Sequence, residues 1–421
     1  MPAFLPAFLP RAIALCLLAP TLLPTLLPAQ RPSAPAARVD RRDSTLARGL
    51  TWTRLRDPRG PWTLHVVRVD LSRTALSLEA VHARDALTGR ERPSVIAARM
   101  NDSTSRVRVA INADFFDLAT GRSENSQVTA GEWWKGLMLT ESPFDTYDNV
   151  HAQFALSRSG VGAVERFVPD GHAWVRGRHV PLLSVNALPT GRHEGTALYT
   201  PRFGATAAVD TVHGAVRDSL RRVSELPVRR VGTRGDTVLY VASAAAAARS
   251  GQAIGPEGAV LAAYGDRATA WQDVAAGDTV RVWIGTLPRQ RDARPPALLL
   301  GGWPRVLQGG DNIAADAAIR EGTISRNAEA RHPRSAVGVS RDGRTLWLVA
   351  VDGRSATSVG MTLVELADAL RALGAWDALN FDGGGSTTLV IDGAVVNAPT
   401  DPSGEREVAN VLLVRERRGG R

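Results

Sequence analysis

Asp382, three glycines (Gly383, Gly384, Gly385) and Ser386 follow directly on the apolar run "ALNF". These residue types suit chemistry at a backbone surface. A carboxylate that emerges at a strand end is placed for nucleophilic or general-base work. Glycines bare their N–H groups to an anion or a sugar pressed against the chain. The same five residues also read as a flexible hairpin turn. No Gly-Lys-Ser/Thr ending follows, which excludes a P-loop, and no helix opens after the glycines as a dinucleotide fingerprint requires. Ser386 lacks the Gly-x-Ser-x-Gly setting of a nucleophile elbow.

Three more stretches carry groups of the same kind. "VDGRS" at 351–355 sets Asp352 at the end of an apolar run, with Arg354 two residues on. Its plain reading is a polar turn with a surface arginine. "INADFFD" at 111–117 sets Asn112 and Asp114 at another strand end, before Phe115 and Phe116, which are core plugs or a stacking platform. Glu365 has two readings. Thr362-x-x-Glu365 at the head of a helix is a capping box, and Glu365 is also a carboxylate in the same part of the chain. None of the eight histidines forms an HExxH or i, i+4 pair, so the zinc pattern is absent. His332, beside Arg331 and Arg334, is the one nearest these segments.

The elements that would hold these groups are mostly strands. "GPWTLHVVRVDLSRTALSLEAV" at 60–81 alternates apolar and polar residues in two runs, which indicates paired strands. "SVIAARMNDS" indicates a short helix, and "RVRVAINADFFD" a strand that stops at a polar, aromatic loop. Residues 150–330 read as short strands between Gly, Pro and Asp turns, with one short helix at "ASAAAAARSG", 242–251. In "RSAVGVSRDGRTLWLVAVDGRS" two strands meet at an Asp342-Gly343 turn. "MTLVELADALRALGA" is an amphipathic helix with Leu363, Leu366, Leu370 and Leu373 on one face, ending at Gly374. "DALNF", the hairpin "TTLVIDGAVVNA" and the apolar "EVANVLLV" complete the chain. The expected class is α+β, with mixed, mainly antiparallel sheets and a few helices.

Length and charge set the outer limits. The 421 residues suffice for one large domain with an appendage or for two domains. The net charge of +9 is almost wholly arginine spread along the chain, since Lys135 is the only lysine. That dispersion argues against nucleic acid as a partner. The N-terminus carries Arg11, a proline-broken apolar run and a cleavage site after Ala29, so 1–29 is expected to be a signal peptide. Cys16 lies inside it and Leu15 fits a lipoprotein box poorly, which leaves the mature chain without cysteine. Residues 30–48 read as a disordered linker, 49–104 as a β-rich segment leading into the main domain, and 416–421 as a basic tail. No later stretch reaches membrane-spanning length. The expected location is outside the cytoplasm, periplasmic or extracellular.

Taken together, "VAINADFF", "ALYTPRFG", "GGWPRVLQGG", the long run from "HPRSAVGV" to "FDGGGSTTLV", and "VVNAPTD…EREVANVLLV" resemble the phosphodiester glycosidase family. The resemblance covers roughly 105–415, the expected main domain, and is most specific over 331–414. It marks Asn112, Arg334, Asp352, Gly353, Arg354, Ser358, Gly360, Thr362, Glu365, Asn380, Asp382 to Ser386, Asn397, Arg406 and Asn410. Asp114 stands where family members often have glycine, and "RSA" at 334–336 replaces the commoner "RTA". Asp114 could alter the substrate or add a carboxylate to the site. The implied substrate is a phosphorylated glycan or other sugar-1-phosphodiester, whose leaving group is already a stable anion. Such a site needs positive charge on the phosphate and carboxylates at the oxocarbenium-like centre. The resemblance implies Arg334 and Arg354 for the phosphate, and Asp382 and Asp352 as nucleophile or base, with Glu365 beside them in the catalytic set. Asn112, Asp114, Asn380, Gly383, Gly384, Gly385, Ser386, Asn397 and Arg406 are then the substrate-binding set. Two alternatives stay open: a non-catalytic carbohydrate-binding or exopolysaccharide-assembly protein, and a phosphodiesterase with a divalent cation on Asp352, Asp382 and Asp114.

Overall fold

The computed structural model describes residues 38–138, 151–189, 195–208, 223–288, 294–321 and 329–419. The expected signal peptide, residues 30–37 of the expected linker and residues 420–421 lie outside them.

The apolar, β-branched strands of the C-terminal third build the middle of an eight-stranded antiparallel sheet. Its order is Asp40–Ala47, Leu50–Asp57, Trp62–Asp70, Thr345–Val351, Arg334–Val339, Asp377–Phe381, Arg305–Gln308 and Asp311–Asn312. Side chains alternate across a strand, so Leu346, Leu348 and Ala350 enter one core while Trp347, Val349 and Val351 enter another. A sheet apolar on both faces must be covered twice. The helix Leu363–Leu373 covers one face with Leu363, Leu366, Ala367 and Leu370. The other face meets two five-stranded sheets, through Val109, Ile111, Leu389 and Leu412 of one and Phe154, Leu298 and Leu300 of the other. A second eight-stranded sheet, drawn from residues 168–287, carries its own core around Leu226, Leu261 and Trp271.

The class is more β-rich than α+β. Among the described residues three α-helices occur, Pro93–Arg99, Ala317–Glu321 and Leu363–Leu373. All paired strands are antiparallel except Ser184–Val185 beside Thr196–Tyr199. Several expectations change. Residues 40–47, expected within the linker, form a strand that pairs with Leu50–Asp57 across Gly49, whose φ is 81°. It is an edge strand with mostly exposed side chains, so it needs no apolar pattern. Nor is 49–104 an introductory segment: Trp62–Asp70 sits inside the central sheet, and Leu76–His82 pairs with Asn410–Arg417. The expected basic tail starts within that last strand, where Arg415 is paired with Glu79 at 2.9 Å. No helix forms at 242–251 despite its alanines. Ala247 instead exchanges backbone bonds with Glu225, whose carboxylate also takes the N–H of Gly251 and Gln252, so tertiary contacts override propensity.

The helix Leu363–Leu373 starts at Thr362, whose side chain accepts the Glu365 N–H while the Glu365 carboxylate takes the Thr362 N–H. It ends at Gly374 in the left-handed region (φ 103°). Thr362→Ala is expected to lower stability by about 1 kcal/mol, read as a reduced urea midpoint at unchanged slope. Glu365→Gln keeps an acceptor at that position and loses only the surface pair with Arg331. It should cost no more than about 0.5 kcal/mol.

Candidate active site

Three strands of the central sheet bring chemistry to one end. Arg334 opens its strand opposite Val351, Asp352 follows Val351, and Asp382 follows Phe381, which pairs with Ser335. From the covering sheet, Asn112 ends one strand opposite Val411, next to Asn410, which opens the last strand. Asn112 joins the two sheets. Its Nδ2 donates to the Asp382 carbonyl at 2.7 Å, and its Oδ1 accepts from Ser335 Oγ at 2.7 Å and Thr388 N–H at 3.0 Å. The Asp382 N–H donates to the Ala113 carbonyl at 2.7 Å.

The glycine run is not a hairpin turn. It carries the chain from the central sheet to the covering sheet through one 3-10 turn, Gly384–Ser386. Its N–H groups are not a bare row. Gly383 donates to the Asp382 carboxylate, Gly384 to the Pro333 carbonyl at 2.9 Å, and Ser386 to the Gly383 carbonyl at 3.1 Å. The glycines are required by close approach. A Cβ at Gly383 would lie 2.7 Å from the Pro333 carbonyl oxygen, and one at Gly385 would collide with the Arg406 guanidinium. Gly384 has φ 59°.

Asp382 is the partly exposed carboxylate at the centre. Burial among protein atoms raises its pKa to about 6; the Ser386 hydroxyl, the Arg406 charge and the Gly383 N–H pull it down, and the Asp114 charge pushes it up. Asp114 lies below it, buried, with its carboxylate held by the Asn125 N–H at 2.9 Å and Asn125 Nδ2 at 2.6 Å. Its own N–H donates to Asn410 Oδ1 at 2.9 Å, and Asn410 Nδ2 donates to Gln127 Oε1 at 2.9 Å. Burial also raises the Asp114 pKa, against the nearby charges of Lys135 and His151. Lys135, wholly buried, donates to the carbonyls of Ser123 and Glu124 just before Asn125.

Cations rim this pair. Arg354, in the left-handed region (φ 59°), is exposed and reaches over Gly384, donating to Thr400 Oγ1 at 3.3 Å. Arg406 lies against Gly385, donating to Asp401 at 2.6 Å and to Ser386 Oγ at 3.2 Å. Arg334 is buried, with Nε on the Met361 carbonyl and Nη2 on the Ala330 carbonyl, both at 2.9 Å. Burial lowers its pKa to about 10, which leaves it charged at neutral pH. Burial lowers the His332 pKa, and the charges of Arg334 and Arg354 add to that effect.

Several residues expected to meet substrate are instead internal ties. Asn112 is one. Asn380 Nδ2 donates to the Trp303 carbonyl at 2.6 Å. Asn397 accepts the Leu389 N–H at 2.7 Å and donates to the Thr387 carbonyl at 3.0 Å. These short amides replace backbone pairing where strands end. Asp352 accepts the Ala398 N–H at 2.8 Å, with His65 Nε2 at 3.5 Å from its other oxygen, and so fixes the segment that brings Thr400 to Arg354. Glu365 is the capping partner of Thr362 and pairs with Arg331 at 2.5 Å. Among the described residues, no three His, Cys, Asp or Glu side chains are placed to hold a metal ion, so Asp114, Asp352 and Asp382 form no such set. Asn125 and Lys135 were not singled out for chemistry in the sequence. The mark of Asn125 is structural: a Cβ at Gly301 would lie 2.7 Å from Asp114 Oδ2 and would overlap Asn125.

Residues 231–415 match the family model described as phosphodiester glycosidase. N-acetylglucosamine-1-phosphodiester alpha-N-acetylglucosaminidase of Mus musculus is 34% identical over 112 residues, 25% of this chain and 21% of that protein. The SPbeta prophage-derived protein YomE of Bacillus subtilis (strain 168) is 37% identical over 84 residues, 20% of this chain and 13% of that one. The matches thus span about a fifth or less of these relatives. A solved structure of a hypothetical protein from Synechocystis shares the fold, with a TM-score of 0.66 at 23% identity over 91% of this chain and 64% of that chain.

Asp382 links pH to stability. Its folded pKa, about 6, lies above the ordinary aspartate value of 3.8, so the folded state holds the proton more tightly. Stability contributed by this group is therefore present below about pH 4 and lost as pH rises through about 6, a change of about 2–3 kcal/mol. Asp382→Asn should remove that loss, making the variant more stable than the parent at pH 7 but not at pH 4. Urea unfolding of both proteins at the two pH values checks it; parallel pH dependence would refute the assignment.

Proposed function

From the match of residues 231–415 to the phosphodiester glycosidase model, we propose that this chain is an exported hydrolase that cleaves a sugar-1-phosphodiester in envelope or extracellular glycan. The observation that carries the reading is the setting of Asp382: one carboxylate at a strand end, with its pKa near 6, on a loop whose glycines lie against Arg354 (at Gly384) and Arg406 (at Gly385). A phosphodiester leaves from the anomeric carbon as an anion, so the site must supply positive charge at the leaving side more than a strong acid. Arg354 is exposed and able to take two phosphate oxygens with its planar fork. Arg406 fixes the Ser386 hydroxyl against Asp382. Arg334 acts at a distance, through its charge and by tying the segments at 330 and 361.

Asp382 is the group that acts at the anomeric carbon, directly or by taking a proton from the attacking water. A base with a pKa near 6 is mostly ionised at neutral pH and still accepts a proton readily. Burial keeps that value high, with the Asp114 charge adding to it; Asn125 and Asn410 hold Asp114 in place, and Lys135 holds the backbone before Asn125. The phosphodiesterase alternative lacks a grouped set of oxygen ligands among the described residues. No described helix is long and apolar enough to cross a membrane.

Hydrolysis of an activated sugar-1-phosphodiester in ¹⁸O-labelled water should place the label on the sugar; label on the phosphate would mean P–O cleavage and overturn the reading. Asp382→Asn should reduce kcat by about 10²–10⁴-fold while the protein stays folded. The parent's kcat/KM should rise with pH through about 6, as Asp382 loses its proton. Arg354→Gln should lower kcat/KM by about 10–100-fold and leave that pH dependence in place.

A further inference from the structure

The second eight-stranded sheet ends in three strands, Thr279–Leu287, Val168–Val175 and the edge strand Arg178–Leu182. Alternation along them is strict over the residues that matter. Ala173, Val175, Val180, Val280 and Val282 face the core, whereas His172, Trp174, His179, Arg281 and Trp283 face outward and remain partly or fully exposed. An outward face is ordinarily polar. This one carries four rings in contact, three of the pairs stacked and one tilted. Trp283 and His172 lie 5.5 Å apart at 23°, His172 and Trp174 5.7 Å at 28°, His172 and His179 5.0 Å at 29°, and Trp174 and His179 5.5 Å at 31°.

Cross-strand aromatic pairs stabilise sheets by themselves, by about 0.2–1 kcal/mol each, and that accounts for pairing. It does not account for the hydrogen bonds that orient the rings. Asp170 Oδ1 lies 2.9 Å from His172 Nε2, and His172 Nδ1 lies 2.8 Å from His179 Nε2, so His172 is fixed between the two tryptophans and His179 beside Trp174. Arg281, exposed, has its guanidinium 5.7 Å from the Trp174 ring centre. Arg281 thus sets a cation beside the rings, while the Asp170 carboxylate on the same face is tied to His172.

We propose that this face is a secondary binding surface for a polysaccharide that carries anionic groups such as phosphodiesters. The apolar C–H face of a pyranose packs on an indole, a hydroxyl meets His179 Nδ1, and an anionic substituent meets Arg281. Orientation set in advance by the Asp170–His172–His179 chain lowers the ordering cost of binding. The surface would hold a polymer while the separate site at Asp382 cuts it. The choice of a phosphate-bearing polymer rests on the function proposed above; the surface itself does not.

Phosphomannan is a suitable probe, with dephosphorylated mannan and single-stranded DNA as comparators, in affinity electrophoresis of the Asp382→Asn variant so that no turnover intervenes. The expected result is retention by phosphomannan over mannan, weakened at least tenfold by Trp174→Ala with Trp283→Ala. Arg281→Gln, which leaves the rings in place, should reduce the preference for the phosphorylated polymer. In the parent background the tryptophan variants should raise KM for phosphomannan and leave kcat/KM for a small sugar-1-phosphodiester unchanged. Equal retention of the folded tryptophan variant, absence of retention, or tighter holding by DNA would overturn the proposal. Retention without any turnover of small or large substrate by the parent would uphold this surface and count against the catalytic reading instead.

Discussion

Everything at the candidate site depends on the buried amide of Asn112. It sits where two sheets converge and satisfies groups from three other strand ends: the Asp382 carbonyl, the Ser335 hydroxyl and the Thr388 N–H. Backbone and hydroxyl groups buried at strand ends lose their ladder partners and cannot be left unpaired without a cost of about 1–3 kcal/mol each. One side chain offsets three such costs. It also fixes the direction in which the chain leaves Phe381, and so aims Asp382. The amides of Asn380, Asn397 and Asn410 repeat the device around it.

Electrostatics then works on a frame that is already rigid. Two carboxylates are placed close enough to oppose each other's ionisation, the deeper one held by Asn125 and countered by a buried lysine. The outer one keeps contact with solvent, with the Ser386 hydroxyl beside it and the Arg406 charge acting on it. Burial raises the pKa of both acids, and the nearby cations lower it. The balance leaves Asp382 titrating within reach of neutral pH, where a carboxylate is useful as a base.

The C-terminal third was legible because its signals are local. The Asp342-Gly343 turn, the Thr362 cap, the leucine stripe and Gly374 each follow from neighbours in the chain, and each is where it was expected. What was not legible is settled by distant contacts. The strand at 40–47 has no apolar pattern because an edge strand needs none, and the alanine run near 245 loses its helix to Glu225. Asn112, Asn380 and Asn397 are the right residue types for holding a sugar, and nothing in their spacing says that their bonds face inward. Asn125 is found only through Gly301, and only once the two are known to touch.

The order of strands in the covering sheet has a temporal consequence. Asn410–Arg417, late in the chain, lies between Ser105–Asn112 and Leu76–His82 rather than at an edge. Until it arrives, the early strands have a gap between them, Asp114 lacks the Asn410 side chain, and the loop at Asp382 has half its support. A chain made from its N-terminus, or threaded through a membrane in that direction, therefore cannot assemble this site in passing. The loop at Asp382 gains its full support only after residue 417 has come through.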